Sequence, residues 1–179
     1  MSQRRGKRVS NWEISVKTLS VLGVGVLAFT LLASAVDVVR VEGDSMDPVL
    51  RDTQVVMVNR LAYGLQPPLV DAYLFRWKAP RRGDIVFFHN PVDGSLSVKR
   101  CLAVSGDPVT LTADGARIAG RDVALSPFAR NQLADRDSLP EGRLFVLGDN
   151  RLDSRDSRHY GLVRLRDVFG TLARVRVTG

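Results

Sequence analysis

A serine in a short polar turn and a lysine in an apolar run are the residues best suited to chemistry in this chain. Ser45 lies in the segment GDSMDP at residues 43–48, soon after a long uncharged stretch ends. A serine hydroxyl becomes a useful nucleophile at neutral pH only when a neighbouring base accepts its proton. The identity of that base therefore decides whether Ser45 can be catalytic.

The histidines of this chain are poor candidates for the base. There are two of them, His89 and His159, and the Gly-x-Ser-x-Gly pattern that accompanies many serine-histidine sites is absent. Neither histidine has metal-ligand spacing, and the single cysteine, Cys101, can form neither an internal disulfide nor a cysteine-based zinc site. No metal and no cofactor are predicted.

Lys99 is the stronger partner for the serine. It lies in a strand-like run in which Cys101 and Ala103 would share its face, and such small or apolar neighbours disfavour a charged ammonium. A free lysine has a pKa near 10.4, so only about one in a thousand would be neutral at pH 7.5. We therefore predict a Ser45–Lys99 dyad, with an exposed strand lysine as the alternative.

An apolar segment precedes these residues. Residues 19–36 carry no charge, and as a helix they would be about 27 Å long, close to the ~30 Å hydrocarbon core of a bilayer. Residues 1–18 carry five basic side chains and one acidic one, which favours a cytoplasmic N-terminus. We predict a cytoplasmic arm (1–18), a single transmembrane signal-anchor (19–36) and an extracytoplasmic domain (37–179). A cleavable signal ending at residues 33–35 and a buried helix are the alternatives.

Charge gives little support for a nucleic-acid partner. The formal net charge is +7, of which +4 belongs to the short N-terminal arm. That arm lies beside the apolar segment and contains one aromatic residue, Trp12, so it lacks the interleaved aromatics of many nucleic-acid sites. The predicted partner of this region is the lipid bilayer of the cell membrane.

Short β-like runs follow the apolar segment. Turns rich in glycine, proline and aspartate separate them, and an Asp-Gly pair at 114–115 predicts a hairpin within 109–119. Residues 63–80 predict a surface excursion, because Pro67-Pro68 excludes a continuous helix there. Residues 121–141 are polar and irregular. The fold class predicted is all-β, mainly antiparallel, with a coiled-sheet or barrel-like catalytic domain. The predicted strands are 37–41, 53–59, 85–88, 96–104, 143–147 and within 168–177.

Four segments taken in order resemble the conserved boxes of bacterial type I signal peptidases. They are residues 43–48, residues 82–87, residues 98–100 with 106–107, and residues 148–161. The first segment alone is unspecific, because self-cleaving repressors share a Ser-Met motif and a later lysine. The last, GDNRLDSRDSRHYG, is specific, and the likeness covers most of residues 38–170.

The resemblance implies a role for each matching residue. Ser45 would be the nucleophile, and Lys99 the general base that later protonates the leaving amine. Ser154 would hydrogen-bond the lysine amine, and Asp156 with Arg158 would form a charged pair that braces the site. The residues implied for the wall of the substrate pocket are Met46 and Leu50.

The resemblance also implies the reaction. The enzyme would remove signal peptides from exported preproteins, cutting after small-x-small ends such as Ala-x-Ala, with no cofactor. The backbone N–H of Ser45 would stabilise the oxyanion, and Gly43 stands where some relatives carry a second, serine donor. Three alternatives stay open: a conjugation-type relative that matures one pilin-like substrate, a non-catalytic membrane-tethered β-domain, and a cytosolic self-cleaving regulator.

Overall fold

The computed structural model of the chain describes residues 18–26, 29, 35–66 and 73–173. Residues 18–26 and 29 are helical. Within these ranges, no helix combines the length and the apolar character that crossing a membrane requires. The predicted cytoplasmic arm and residues 27–28 and 30–34 of the predicted span lie outside the described residues, apart from Thr18.

Strands dominate the described part of the chain. Two short helices, α1 (Pro127–Asn131) and α2 (Ser157–Tyr160), and 3-10 turns at Arg60–Ala62 and Leu165–Asp167 connect the strands that the structure describes. The strands are β1 (Val36–Arg40), β2 (Val55–Asn59), β3 (Gly64–Leu65), β4 (Phe75–Arg76), β5 (Ile85–His89), β6 (Leu96–Val104), β7 (Val109–Thr112), β8 (Gly115–Ile118), β9 (Arg121–Ala124), β10 (Arg143–Leu147), β11 (Val163–Arg164) and β12 (Val168–Leu172).

The main sheet has seven strands in the order β1-β2-β12-β5-β6-β10-β11, and every neighbouring pair is antiparallel. Alternation along the strands shows why they form: in β2, Val56 and Val58 are buried while the residues between and beside them are exposed. The sequence prediction of a mainly antiparallel β fold is confirmed. The predicted end of the apolar span is corrected by one residue. Val36, the last residue of that span, is the first residue of β1 and pairs with Asn59.

The main sheet is curled. Three strands separate β1 from β6 in the sheet order, which would hold them far apart in a flat sheet. Nevertheless Val41, which follows β1, belongs to the same core cluster as Phe87 of β5, and Val98 of β6 packs against that cluster. The first strand therefore faces the beginning of the sixth, which is the coiled sheet that the sequence predicted.

A smaller three-stranded sheet, β7-β8-β9, lies beside the main one. Its first hairpin turns at Ala113-Asp114, one residue before the predicted Asp-Gly position, because Gly115 begins β8 opposite Thr112. The hairpin predicted within 109–119 is confirmed. Helix α1 was not predicted, because it has only five residues within a polar region. Its sequence signal is Ser126 followed by a proline at the helix start, since the serine hydroxyl accepts the N–H of Ala129 at 3.2 Å.

Candidate active site

Ser45 lies in the turn between β1 and β2. Two backbone hydrogen bonds close the base of this loop: Val41 N–H donates to the Gln54 carbonyl at 2.8 Å, and Thr53 N–H donates to the Val41 carbonyl at 2.9 Å. On the other side, the N–H of Asn150 donates to the Ser45 carbonyl at 3.1 Å. The nucleophile candidate is therefore held from both its own loop and the segment that follows β10.

Lys99 reaches Ser45 from the middle of β6. Its Nζ lies 2.6 Å from the Ser45 Oγ, which is within hydrogen-bond distance. The lysine side chain is buried, with 6 % of its surface exposed. Burial lowers the pKa of the Lys99 ammonium, and the negative charge of Asp156 opposes part of that effect. The structure thus brings together two side chains that are 54 positions apart in the sequence.

Asp156 and Arg158 form a buried ion pair behind the lysine. Arg158 Nε donates to Asp156 Oδ1 at 2.8 Å and Nη2 donates to Oδ2 at 2.9 Å, while the Gly148 N–H donates to Oδ2 at 3.0 Å. Burial alone would raise the pKa of the Asp156 carboxyl, but the hydrogen bonds from Arg158 and Gly148 outweigh it and hold the pKa below its usual value. Because Arg158 already neutralises this carboxylate, Lys99 is not its ion-pair partner.

Ser154 lies in the same segment but does not hydrogen-bond the lysine. Its Oγ is buried and makes no well-formed hydrogen bond to the described residues, although it lies near enough to the Asp156 carboxylate to help lower the pKa of that group. The hydrogen bond expected between Ser154 and the Lys99 amine is therefore not formed in this structure, in which the amine is directed at Ser45. The Ser154 hydroxyl lies instead against Gly148, where a Cβ would come within 2.1 Å of the Oγ.

A groove of about 270 Å³ opens beside Ser45 and Lys99. Residues 39–42 line one side and residues 95–98 line the other, with Phe87 between them. Both sides are strand edges, because β1 pairs with β2 alone among the described strands, and β10 pairs with β6 only from Arg100 onward. The groove is therefore shaped to accept an extended chain.

Met46 and Leu50 lie beneath the groove rather than on it. They are 0 % and 2 % exposed and belong to the core cluster that also contains Val58 and Phe87. Neither is among the residues that line the groove. Their contacts support the turn that carries Ser45, because a methionine next to the serine anchors that turn in the core.

Comparison with known proteins identifies the family. The profile of a family described as "Signal peptidase, peptidase S26" matches residues 14–177. The chain belongs to this family. Signal peptidase I of Bacillus caldolyticus is 30% identical over 95% of this chain and 91% of its own length, and signal peptidase I of Pseudomonas fluorescens is 24% identical over 86% and 66%. A crystal structure of a signal peptidase I from Enterococcus faecalis V583 aligns at 30% identity and a TM-score of 0.39, covering 54% of this chain and 98% of that one.

The backbone N–H next to the candidate nucleophile makes no hydrogen bond within the described part of the protein. The backbone N–H of Ser45 has no acceptor among the described residues. The preceding Gly43 has a φ of +78° and donates its N–H to Asp52 Oδ1 at 2.8 Å. This left-handed conformation favours glycine, and it bends the chain two residues before Ser45.

A second ion pair, which the sequence did not predict, joins β6 to the segment after β10. Arg100 donates from Nε and Nη2 to the two carboxylate oxygens of Asp149, both at 2.7 Å, and from Nη1 to the Gly83 carbonyl at 2.8 Å. From the sequence, Asp149 is predicted to support a turn rather than to take part in chemistry, and no partner is predicted for it. The sequence signal for this ion pair was Arg100 directly after Lys99 in one strand, together with Asp149 in the later Gly-Asp-Asn turn.

Proposed function

We propose that this chain is a membrane-anchored serine endopeptidase that removes N-terminal signal peptides from exported preproteins. The observation that carries the proposal is the 2.6 Å distance between Ser45 Oγ and the buried Lys99 Nζ at the edge of the groove. Membership of the signal peptidase family agrees with it. The relatives named signal peptidase I match most of this chain, which favours the same reaction here.

The dyad would carry out acyl transfer in two stages. Neutral Lys99 accepts the Ser45 proton while Oγ attacks the scissile carbonyl carbon, and the Ser45 N–H stabilises the resulting oxyanion. The Lys99 ammonium then gives its proton to the leaving amine, which leaves an ester between Ser45 and the signal peptide. A water molecule, deprotonated by Lys99, hydrolyses this ester and restores the serine.

The strand edges on the two sides of the groove would hold the substrate. An extended peptide can add to an exposed edge through main-chain hydrogen bonds, while alternate side chains point into the groove. Val41 and Phe87 line the groove together with Ser45, and the groove holds only about 270 Å³, so small side chains would fit best at the alternate positions before the scissile bond. This supports cleavage after small-x-small ends such as Ala-x-Ala.

The buried residues around the dyad would position it. Asp156 and Arg158 fix the loop behind Lys99, and Ser154 offers a buried hydroxyl that can pair with the amine once the amine releases Ser45. Met46 and Leu50 would hold the serine turn against the core. None of these three roles requires a metal.

The uncharged residues 19–36 would place the domain at the membrane surface. The basic arm before them supports a cytoplasmic N-terminus, and so an extracytoplasmic domain beginning near residue 37. The N–H of Arg60 donates to the Ala35 carbonyl at 2.9 Å, so the chain enters the sheet directly after the apolar segment. The active site would then meet preproteins where their own apolar segments emerge.

Cleavage of a preprotein whose signal ends in Ala-x-Ala tests the proposal. The full chain in detergent is compared with Ser45→Ala and Lys99→Ala, and with Lys78→Ala as a control for loss of an exposed lysine. We expect both site variants to lose at least about 10⁴-fold in kcat/KM and the control to keep its activity. A folded chain that cuts a single pilin-like substrate but no general preprotein would favour a dedicated enzyme, and full activity of Lys99→Ala would refute the dyad.

A further inference from the structure

A second cavity, of about 550 Å³, lies at β10 and β11, the last two strands in the order of the main sheet, in which β1 is the first. It is formed where β10 pairs with β11 and where the 3-10 turn Leu165–Asp167 begins. Arginines dominate its lining, and the remaining lining residues are a glycine and a leucine. The lining residues are Arg76, Gly142, Arg143, Arg164, Leu165 and Arg166.

These arginines lack close carboxylate partners. Arg143 and Arg164 are directly opposite each other across β10 and β11, and like charges in that position repel. Among the described residues, no carboxylate oxygen comes within 4 Å of the guanidinium of Arg76, Arg143 or Arg164, and Arg166 approaches Asp167 at 3.8 Å. Four arginines elsewhere pair closely with aspartates, as Arg82–Asp107, Arg100–Asp149, Arg117–Asp122 and Arg158–Asp156 show. Other described arginines, such as Arg40, Arg81 and Arg136, also lack a described carboxylate within 4 Å, so the distinguishing feature of this cavity is that four arginines line it together.

Arg76 is held in place with an unused donor. Its Nη2 donates to the Leu165 carbonyl at 2.9 Å, and its guanidinium lies over the Tyr73 ring at 4.1 Å from the centroid. Tyr73 is itself fixed, because its hydroxyl donates to the Val168 carbonyl at 2.8 Å. The Nη1 of Arg76 is buried and has no acceptor among the described residues. A ligand oxygen would satisfy it.

The geometry points to this cavity as a binding site for a phosphate group, either free or carried as the headgroup of an anionic phospholipid. Planar guanidinium groups bind phosphate oxygens in pairs, and four of them in one cavity can neutralise a phosphate and relieve the repulsion between Arg143 and Arg164. Exposed apolar side chains on either side of Arg76 would suit a phosphate carried by a lipid: Leu74, Phe75 and Trp77.

The test measures the melting temperature of the full chain in a neutral detergent. In one series, inorganic phosphate replaces chloride at constant ionic strength; in another, the micelles contain phosphatidylglycerol or, as a zwitterionic control, phosphatidylcholine. At a ligand concentration about tenfold above the half-saturating value, we expect the melting temperature to rise by about 2–4 °C. The double variant Arg143→Gln/Arg164→Gln should lose this rise and should melt at a higher temperature without ligand. Arg117→Gln/Arg121→Gln, which removes the same charge from the small sheet, should keep the rise.

Each outcome has a defined meaning. A rise with inorganic phosphate, whether or not phosphatidylglycerol also gives one, supports a site for the phosphate group itself. A rise with phosphatidylglycerol alone, absent with phosphatidylcholine, assigns the site to the lipid headgroup. No rise with either ligand overturns the proposal, as does a rise that Arg143→Gln/Arg164→Gln retains or that the control variant also loses. If the double variant does not fold, Arg164→Gln alone, which changes an exposed side chain, provides the same comparison.

Discussion

Lys99 is the residue on which the proposed chemistry depends. Its amine is buried and contacts a hydroxyl, while the nearest buried carboxylate, Asp156, is already paired with Arg158. An amine that is buried without an ion-pair partner is more easily deprotonated than one in water. The ion pair behind the dyad therefore limits how far Asp156 can stabilise the ammonium.

Lys99→Met should abolish cleavage and stabilise the fold. Burial lowers the pKa of Lys99 in the folded state, so between that pKa and the ordinary lysine value the unfolded chain binds more protons, and stability increases with pH. An apolar side chain of similar length removes this pH dependence. We expect the free energy of unfolding of Lys99→Met at neutral pH to exceed that of the unsubstituted chain by on the order of 1 kcal/mol. Urea unfolding at several pH values measures it, and a clear loss of stability would contradict the stated burial of the amine.

Asp156→Asn should shift the acidic limb of the pH–activity profile to lower pH. The negative charge of Asp156 raises the pKa of Lys99, so its removal lowers that pKa further. The same substitution leaves Arg158 partly unpaired and should cost about 3 kcal/mol of stability. Asp153→Asn, at an exposed carboxylate of the same loop, is the control and should leave the profile unchanged. A limb that moves to higher pH would show that Asp156 acts in another way.

Close contact between three segments fixes the site at the scale of its elements. The turn carrying Ser45 and the segment after β10 meet at Gly148, whose missing side chain leaves room for the Ser45 carbonyl and the Ser154 side chain. Strand β6 joins them through the contact of Lys99 with the Ser45 hydroxyl. A β-bulge between Phe145 and Val146 also frees the N–H of Val146 to donate to the Ser157 hydroxyl at 3.0 Å. These contacts connect the strand directly to the loop that braces the dyad.

Gly148→Ala should separate these elements. A Cβ at this position would come within 2.1 Å of the Ser154 Oγ and 2.4 Å of the Ser45 carbonyl oxygen, so the serine turn would have to move. We expect kcat to fall by about 10²-fold and stability to fall by about 1–3 kcal/mol. Gly23→Ala, at a position where a Cβ has no neighbour within 4 Å, is the matched control. Unchanged kcat in Gly148→Ala would contradict the close packing of the turn.

At the scale of the whole molecule, the curled sheet and the apolar segment together determine what the site can reach. Curling brings β1 opposite the start of β6 and so creates the groove. The first strand begins at Val36, the last residue of the segment proposed to cross the membrane. A substrate strand in the groove would therefore lie near the membrane surface.

The sidedness of the chain can be tested with cysteine labelling, because Cys101 is buried and should react little. Ala113→Cys places a thiol at the exposed turn between β7 and β8, and Ser2→Cys places one in the basic arm. With a membrane-impermeant thiol reagent, we expect Ala113→Cys to be labelled in intact spheroplasts and Ser2→Cys to be labelled only after lysis. The reverse pattern would refute the proposed orientation.

The sequence predicted the strands better than it predicted the side-chain contacts between them. Alternating β-branched runs and turn residues were sufficient for β2, β6 and the 109–119 hairpin, because those signals are local. The Arg100–Asp149 pair and the burial of Met46 and Leu50 depend on the curl of the sheet, which brings distant segments together. The resemblance predicted a Ser154–Lys99 hydrogen bond, but that bond depends on side-chain orientation, which no motif determines.

The pH dependence of kcat/KM for the full chain tests the central claim, that a neutral Lys99 activates Ser45, most directly. We expect activity to rise with pH through one ionisation whose apparent pKa is below the ordinary lysine value, since burial lowers the pKa of Lys99. In Asp156→Asn, this limb should move to lower pH. A profile that is flat over this range, or a limb at or above the ordinary lysine pKa, would show that a neutral Lys99 does not activate Ser45.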